Sequence, residues 1–258
     1  MSSKFQQFKD LHKSGNLFVL PNAWNAASAL LFQEQQFPAI ATSSAAVAGS
    51  LGYEDGEQMP FSEYLFIVRR ILSVVRVPVT VDIEMGYGNS NEAIYDNIMQ
   101  LIDLGVVGIN IEDSIIQGSG RTLKDAARFA KTIEFIRNKL SSGSHDLFIN
   151  IRCDTFILNV TDKLAETLRR LKIYETTGAD GIFLPCIADE KDIMTVVQNT
   201  SLPLNVMAIP GLPGLDRLQQ LGVRRASMGN FLYNKTYGAA DELGRQIVTD
   251  RNFSSILS

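Results

Sequence analysis

The sequence predicts a single α/β domain, residues 1–258, folded as a (β/α)8 TIM barrel. Short apolar runs recur at spacings of roughly 20 to 40 residues, and segments with helical periodicity separate them. Eight such runs can be counted, and the length of 258 residues is sufficient to bury one large core. No linker rich in Pro, Gly or Ser divides the chain. Together these features favour one closed barrel.

The eight runs are the predicted barrel strands. They are Leu17–Leu20, Ala39–Thr42, Val79–Ile83, Gly108–Ile111, Leu147–Arg152, Gly181–Leu184, Leu204–Met207 and Ala226–Met228. The segment 91–104 has helical periodicity and stops at Gly105, and the segment 163–176 stops before Gly178. An open doubly wound sheet is the alternative. That fold would gather glycines after its first strand, where this chain reads Asn-Ala-Trp-Asn instead.

Carboxylates follow three of the predicted strands at the end where barrel enzymes place their active sites. Asp82 and Glu84 are two apart, Glu112 ends the fourth strand, and Asp55 follows the second. Clustered acids repel one another unless a cation lies among them, and oxygen donors favour Mg²⁺, or Mn²⁺, over zinc. We expect Asp82 to bind the metal directly and the others to hold its waters. The alternative is that these acids cap helices or pair with surface cations.

Basic and hydroxyl groups occur at the same predicted end of the barrel. Arg152 ends the fifth strand and can clamp a substrate carboxylate through two N–H groups. Its alternative role is a structural salt bridge with Glu84 or Asp113. Ser43 and Ser44 follow the second strand, where hydroxyls and backbone N–H groups can hold a carboxylate or an enolate oxygen.

Four motifs give the chain a family resemblance. They are Ala-Thr-Ser-Ser (41–44), Gly-Tyr-Glu-Asp-Gly-Glu (52–57), Val-Asp-Ile-Glu-Met-Gly-Tyr-Gly-Asn (81–89) and Gly-Ile-Asn-Ile-Glu-Asp-Ser (108–114). The chain resembles the isocitrate lyase/phosphoenolpyruvate mutase superfamily, in its 2-methylisocitrate lyase-like or oxaloacetate decarboxylase-like branch, over nearly its whole length. The resemblance implies a (β/α)8 barrel that binds Mg²⁺. It also implies that C–C or P–C bonds next to a 2-oxo acid are made or broken through an enolate-like intermediate.

The resemblance also assigns roles to individual residues. The implied metal shell is Asp55, Asp82, Glu84 and Glu112. Ser43 and Ser44 resemble the carboxylate cradle, Arg152 the substrate clamp, and Trp24 and Asn205 further substrate contacts. Arg152, Glu112 and Tyr53 are the candidate catalytic residues.

The chain departs from the family pattern after its fourth strand. The isocitrate and methylisocitrate lyases carry a mobile Lys-Lys-Cys-Gly-His or similar segment there, and this chain does not; Ser114 stands where the mutase branch has Lys. Cys153 and Cys186 are expected in the core, and neither His12 nor His145 is expected to be catalytic. Tyr53 and Tyr87 are the nearest alternative acids. Residues 118–120 could hinge a lid with Arg121 as a mobile cation, or could form an ordinary surface loop.

These features predict a Mg²⁺-dependent carbon–carbon lyase or decarboxylase for a small 2-oxo or 2-hydroxy di- or tricarboxylate. A P–C bond hydrolase or mutase of the phosphonopyruvate type and a non-catalytic dicarboxylate-binding barrel are the alternatives. The net charge of −4 argues against nucleic acid as a partner, and no apolar run is long enough to span a membrane. We expect a cytoplasmic protein and, from the resemblance alone, a homo-oligomer, either a dimer or a tetramer.

Overall fold

The computed structural model describes residues 3–117 and 120–257, so the first two residues of the predicted hinge 118–120 lie outside the described residues. The protein is a parallel barrel, which confirms the predicted fold class. Its strands, with one antiparallel hairpin (β6 and β7), are β1 (Phe18–Leu20), β2 (Asn22–Ala23), β3 (Ile40–Thr42), β4 (Val79–Asp82), β5 (Gly108–Glu112), β6 (Ser114–Gln117), β7 (Gly120–Leu123), β8 (Phe148–Arg152), β9 (Gly181–Leu184), β10 (Leu204–Met207) and β11 (Arg225–Ser227). The sheet order is β1-β11-β10-β9-β8-β5-β4-β3-β2.

Pro21 follows the first predicted strand and separates β1 from the short strand β2, which the sequence did not predict. β1 pairs with β11, whereas β2 pairs with β3 on the other side. Proline has no N–H to donate to a ladder, but its carbonyl still accepts from the Ala41 N–H at 2.8 Å. The chain therefore changes its partner strand at Pro21, and this change closes the barrel.

Helices cover the outside of the barrel. They are α1 (Lys4–Lys13), α2 (Ala26–Glu34), α3 (Ser44–Ser50), α4 (Phe61–Val74), α5 (Asn91–Leu104), α6 (Ala126–Ser142), α7 (Lys163–Tyr174), α8 (Glu190–Gln198), α9 (Leu215–Gln220), α10 (Phe231–Asp250) and α11 (Ser254–Leu257). The predicted helix 91–104 is confirmed: the Ser90 side chain caps its start, and Gly105, at φ 96°, ends it in the left-handed conformation. The predicted helix 163–176 ends two residues earlier, at Tyr174.

Aromatic side chains close the base of the barrel, opposite the predicted active-site end. Phe8 of α1 packs edge-on against Phe18 and Phe148. The His12 ring stacks on Phe148 with 4.1 Å between ring centroids, and its Nδ1 lies 2.9 Å from the Phe8 carbonyl. Burial, followed by the positive charge of Arg225, lowers the pKa of His12 to about 3.

We expect a His12→Phe variant to have an unfolding free energy that is less sensitive to acid. The unfolded chain protonates a histidine near pH 6.5, whereas folded His12 stays neutral until about pH 3. The wild type therefore loses stability as the pH falls from 6.5 towards 3, by about 2 kcal/mol at pH 5. Urea denaturation at pH 7 and pH 5 measures the difference, and an equal loss of stability in both proteins would contradict it.

The helices also bear on membrane association. Within residues 3–117 and 120–257, no helix combines the length and the apolar character that crossing a bilayer requires.

Candidate active site

A cavity of about 150 Å³ opens at the carboxyl ends of the barrel strands. Its walls come from all around the barrel. The lining residues are Asn22, Ser43, Ser44, Ala45, Asp55, Asp82, Asn110, Arg152, Ile157, Phe183, Pro185, Met207, Ser227, Gly229 and Asn230. Five residues predicted for the site, Ser43, Ser44, Asp55, Asp82 and Arg152, are therefore brought together here.

Asp82, the last residue of β4, is held by a closed cycle of hydrogen bonds. Its backbone N–H donates to the Thr42 hydroxyl at 3.1 Å, Thr42 and Tyr64 share a hydrogen bond of 2.6 Å, and the Tyr64 hydroxyl donates to the Asp82 carbonyl at 2.7 Å. The Ser44 hydroxyl donates to the carboxylate at 3.2 Å. The pKa of Asp82 is raised, chiefly by burial. The protein thus presents a rigidly placed carboxylate to the cavity.

Glu84 organises the loop that carries Asp55. Its two carboxylate oxygens accept hydrogen bonds from the Glu57 N–H and from the Tyr87 hydroxyl, each at 2.9 Å. Glu84 lies just after β4 and has a φ of 49°, so its backbone is left-handed and its side chain does not continue the alternating pattern of the strand. The residue is only 1% exposed. Burial, then the charges of Asp55 and Asp82, raises the pKa of Glu84 to about 8. Its oxygens are therefore already engaged by protein donors.

Arg152 ends β8 and forms the basic side of the cavity. Its Nη1 lies 2.9 Å from Glu112 Oε2, and its Nε donates to Asp154 Oδ1 at 2.6 Å. The predicted structural partners were Glu84 and Asp113. Asp113 instead accepts from the Arg170 guanidinium at 2.9 Å and from the Tyr174 hydroxyl at 2.7 Å. Arg152 therefore lies between two carboxylates that hold it in place at the cavity wall.

The hairpin β6–β7 returns a second cation to the site. Arg121 pairs with Glu112, donates to the Ser114 hydroxyl at 3.0 Å, and lies 3.7 Å from Asp154. A weaker ion pair of 4.0 Å connects Arg121 to Asp55. The segment after the fourth predicted strand thus has no cysteine and has Ser114 where the mutase branch has Lys, but its Arg121 reaches the acidic cluster.

Five predicted site residues do not line the cavity. Two of them, Glu84 and Glu112, contact its lining residues as described above, and the other three are Tyr53, Trp24 and Asn205. The Tyr53 hydroxyl donates to Glu63 at 3.0 Å, and the Trp24 ring packs edge-on against Tyr233. Asn205 is buried and donates to the Val206 carbonyl at 2.7 Å. Their roles in substrate binding or catalysis stay predictions.

The sequence patterns did not single out Asn22, Asn110 and Asp154 as site residues. Asn22 and Asn110 line the cavity, and Asp154 holds Arg152. All three lie in or directly after barrel strands, so a search of every strand end for amides as well as charges would have found them.

Of the two cysteines, Cys153 is buried as predicted and Cys186 is half-buried.

The carboxylates of the cavity bear on the predicted metal. Within the described residues 3–117 and 120–257, no three Asp, Glu, His or Cys side chains form a ready ligand cluster. Asp82 and Asp55 nevertheless line one cavity. Arg152 lowers the pKa of Asp82 and Asp55 raises it, and no cation of the described residues forms an ion pair with Asp82. A Mg²⁺ ion needs only one or two protein carboxylates because it keeps several waters. These residues therefore fit a sparsely ligated Mg²⁺.

Comparison with known proteins agrees with this geometry. Residues 8–248 match the family model described as phosphoenolpyruvate phosphomutase. An uncharacterized protein of Mycobacterium tuberculosis H37Rv is 36% identical, over 93% of this chain and 88% of the relative. An oxaloacetate decarboxylase of Pseudomonas entomophila is 28% identical, over 88% of this chain and 78% of the relative. A solved structure of a provisionally named phosphonomutase from Burkholderia cenocepacia is 34% identical, with a TM-score of 0.88 and coverage of 94% and 98%.

Proposed function

Because the chain belongs to the phosphoenolpyruvate phosphomutase family, within the isocitrate lyase/phosphoenolpyruvate mutase superfamily, we propose that it is a Mg²⁺-dependent carbon–carbon lyase or decarboxylase. Its substrate is a small 2-oxo or 2-hydroxy di- or tricarboxylate, cleaved through an enolate. The oxaloacetate decarboxylase among the relatives supports this reaction class.

One observation carries the proposal: the cavity holds an arginine and a pair of carboxylates on its walls. Arg152 supplies a positive charge for a substrate carboxylate, and Asp82 with Asp55 supplies oxygen ligands for a metal. The volume of about 150 Å³ is below the range of roughly 300–1,000 Å³ of sites for drug-sized ligands. This size suits a substrate of few atoms.

The chain's own residues explain how such a substrate is oriented. A guanidinium has five N–H donors, and Arg152 donates two of them to Asp154. Its Nη1 lies at ion-pair distance from Glu112 without a hydrogen bond, so the N–H groups of Nη1 stay available to a substrate carboxylate. Ser43 and Ser44 add hydroxyls to the lining of the same cavity. A substrate held between these groups has its scissile bond fixed before it breaks, which lowers the entropic part of the barrier.

The metal has one role in this proposal. When bound by Asp82, with Asp55, Glu84 and Glu112 as the proposed surrounding shell, Mg²⁺ supplies a Lewis acid that stabilises negative charge on the substrate oxygens. Mn²⁺ has the same preference for oxygen ligands.

The experiment that tests the proposal is a substrate panel. The protein is incubated with oxaloacetate, methylisocitrate, isocitrate or phosphonopyruvate, with Mg²⁺ or with EDTA, and the products are followed by NMR. An Asp82→Ala variant subtracts decarboxylation by the metal alone. Turnover of a carbon substrate that is lost in EDTA and in the variant supports the proposal. No turnover of any member, with oxalate still bound, would favour a binding protein without catalysis.

Cleavage or rearrangement of a P–C bond is the second candidate function. The 34% identical structure from Burkholderia cenocepacia, provisionally named a phosphonomutase, supports it. Phosphonopyruvate in the panel separates the two candidates, because its turnover without that of the carbon substrates would replace the first proposal by the second.

We also propose that the protein is a homo-oligomer, a dimer or a tetramer. The described residues of α10 include none that is buried, although the helix is 20 residues long. Apolar side chains stay exposed there and in α11, among them Val248 at 79%. A Val248→Lys variant is expected to shift the protein towards the monomer in analytical ultracentrifugation, because a charge would be buried at the interface. A wild type that sediments as a monomer would overturn the proposal.

A further inference from the structure

Arg225 is a buried cation without an anionic partner. It lies on β11, inside the barrel, and is 1% exposed. Its Nη2 donates to Asn110 Oδ1 at 2.8 Å. Its Nε and Nη1 have no hydrogen-bond partner in the described part of the chain, and no ion pair involving Arg225 is formed there. The adjacent Arg224 differs, because it is partly exposed and donates to the Gly15 carbonyl.

Such an arrangement is costly if its role is only structural. Burying a charge without a counter-ion is unfavourable, and an apolar side chain of similar size avoids that cost. Burial lowers the pKa of Arg225 to about 9, and the nearby Asp82 opposes the shift. The group therefore keeps its charge at neutral pH. An unpaired buried charge points to an anion that binds close by.

Arg225 lies one layer beneath the cavity. Residues two apart on a strand point to the same side, and Ser227, two residues after Arg225, lines the cavity. Asn110, the hydrogen-bond partner of Arg225, also lines the cavity and is 5% exposed. The amide of Asn110 therefore lies between the cavity and the guanidinium.

The contact with Arg225 settles which way the Asn110 amide points. Arginine has only donors, so the Asn110 atom that it contacts is the carbonyl oxygen. The Asn150 Nδ2 donates to the same oxygen at 2.9 Å. The Nδ2 group of Asn110 then has no partner within the described residues, and it is the part of the amide available to the cavity. Asn110 is thus held as a hydrogen-bond donor.

We propose that Arg225 and Asn110 form a floor that selects doubly charged substrates. The Asn110 amide donates to a substrate oxygen, and Arg225, as a positioning residue, orients that amide and adds positive charge beneath it. This inference rests on the proposed function, because it assumes that a small carboxylate occupies the cavity. It deepens that function by naming the residues that favour a compact dianion over a monoanion.

The test compares the binding of oxalate, a dianion, with that of pyruvate, a monoanion, by isothermal titration calorimetry at one fixed Mg²⁺ concentration. Arg225→Met is expected to weaken oxalate binding about ten-fold, since a Coulomb interaction scales with ligand charge, and to weaken pyruvate binding about three-fold. Arg225→Gln keeps a hydrogen-bond donor for Asn110 but has no charge. It is expected to lose the preference for oxalate over pyruvate to the same extent as Arg225→Met. Arg224→Met removes a charge outside the barrel and is expected to change neither ligand by more than about two-fold.

Thermal unfolding separates this role from a structural one. Arg225→Met is expected to be at least as stable as the wild type, because the buried charge is gone. A loss of stability with an unchanged ratio of oxalate to pyruvate affinity would overturn the inference and leave the proposed function intact. A ratio kept by Arg225→Gln and lost by Arg225→Met would also overturn it, because charge would not be the cause. No oxalate binding by the wild type would overturn the proposed function and the inference with it.

Discussion

An Arg152→Met variant is expected to lose kcat/KM for the 2-oxo acid substrate on the order of 10³-fold. In the proposed role, the guanidinium contributes the charge and the N–H groups that hold the substrate carboxylate. Methionine has a similar volume but offers neither. Steady-state kinetics on the substrate identified by the panel, together with oxalate affinity, measures the loss. A folded variant that keeps more than about a tenth of the wild-type kcat/KM would contradict the role of Arg152 as the clamp.

Stability must be measured beside activity in this variant. Removing Arg152 takes one of two cations from the buried Glu112 and Asp154, and Arg121 stays beside both; the loss of hydrogen bonds to Asp154 is therefore expected to lower the free energy of unfolding by about 1–3 kcal/mol. Arg152→Lys is the matched control, because it keeps the charge and loses the two-pronged geometry. We expect it to be more stable than Arg152→Met and to retain an activity between that of Arg152→Met and that of the wild type.

The second large effect is expected for Asp82→Asn, which should lower Mg²⁺-dependent turnover on the order of 10²-fold or more. The amide has nearly the same shape but a much weaker affinity for a hard cation. The rate is measured with Mg²⁺ and with EDTA, after subtraction of the metal-only background. Asp216→Asn, on the exposed α9, is the matched control and should behave as the wild type does. A variant that still responds fully to Mg²⁺ would remove Asp82 from the metal site.

The same variant should be more stable than the wild type when Mg²⁺ is absent. Burial, and the charge of Asp55 in addition, raises the pKa of Asp82 in the folded protein. A raised carboxyl pKa means that stability is lost as the pH rises from the unfolded pKa through the folded one. The gain in Tm from Asp82→Asn should therefore be largest at neutral pH and should shrink as the pH is lowered. Differential scanning calorimetry in EDTA measures this gain.

The sequence by itself determined the architecture and the end of the barrel that carries the site. Apolar runs with short breaks define strands locally, because alternation and burial act over a few residues. Asp82 and Arg152 end their strands, and barrel sites lie at these ends, so strand position alone predicts that both side chains reach the cavity. Ser43, Ser44 and Asp55 follow the second predicted strand, and they also line the cavity.

Only the tertiary structure decided which partners these side chains have. Arg152 pairs with Glu112 and Asp154 rather than with Glu84 or Asp113, because the register of β5 against β8 sets Glu112 opposite Arg152. Tyr53 follows a loop whose path strand periodicity does not describe, and it reaches Glu63 instead of the cavity.

The contact between Arg225 and Asn110 joins residues 115 positions apart in the chain. Neither residue has a local pattern that marks it, since a buried arginine and a surface arginine look the same in a sequence. Such contacts depend on the closure and register of the whole barrel. For that reason the sequence indicates which acidic and basic residues belong to the site. The closed barrel determines which of these residues form ion pairs with one another and which stay available to a substrate.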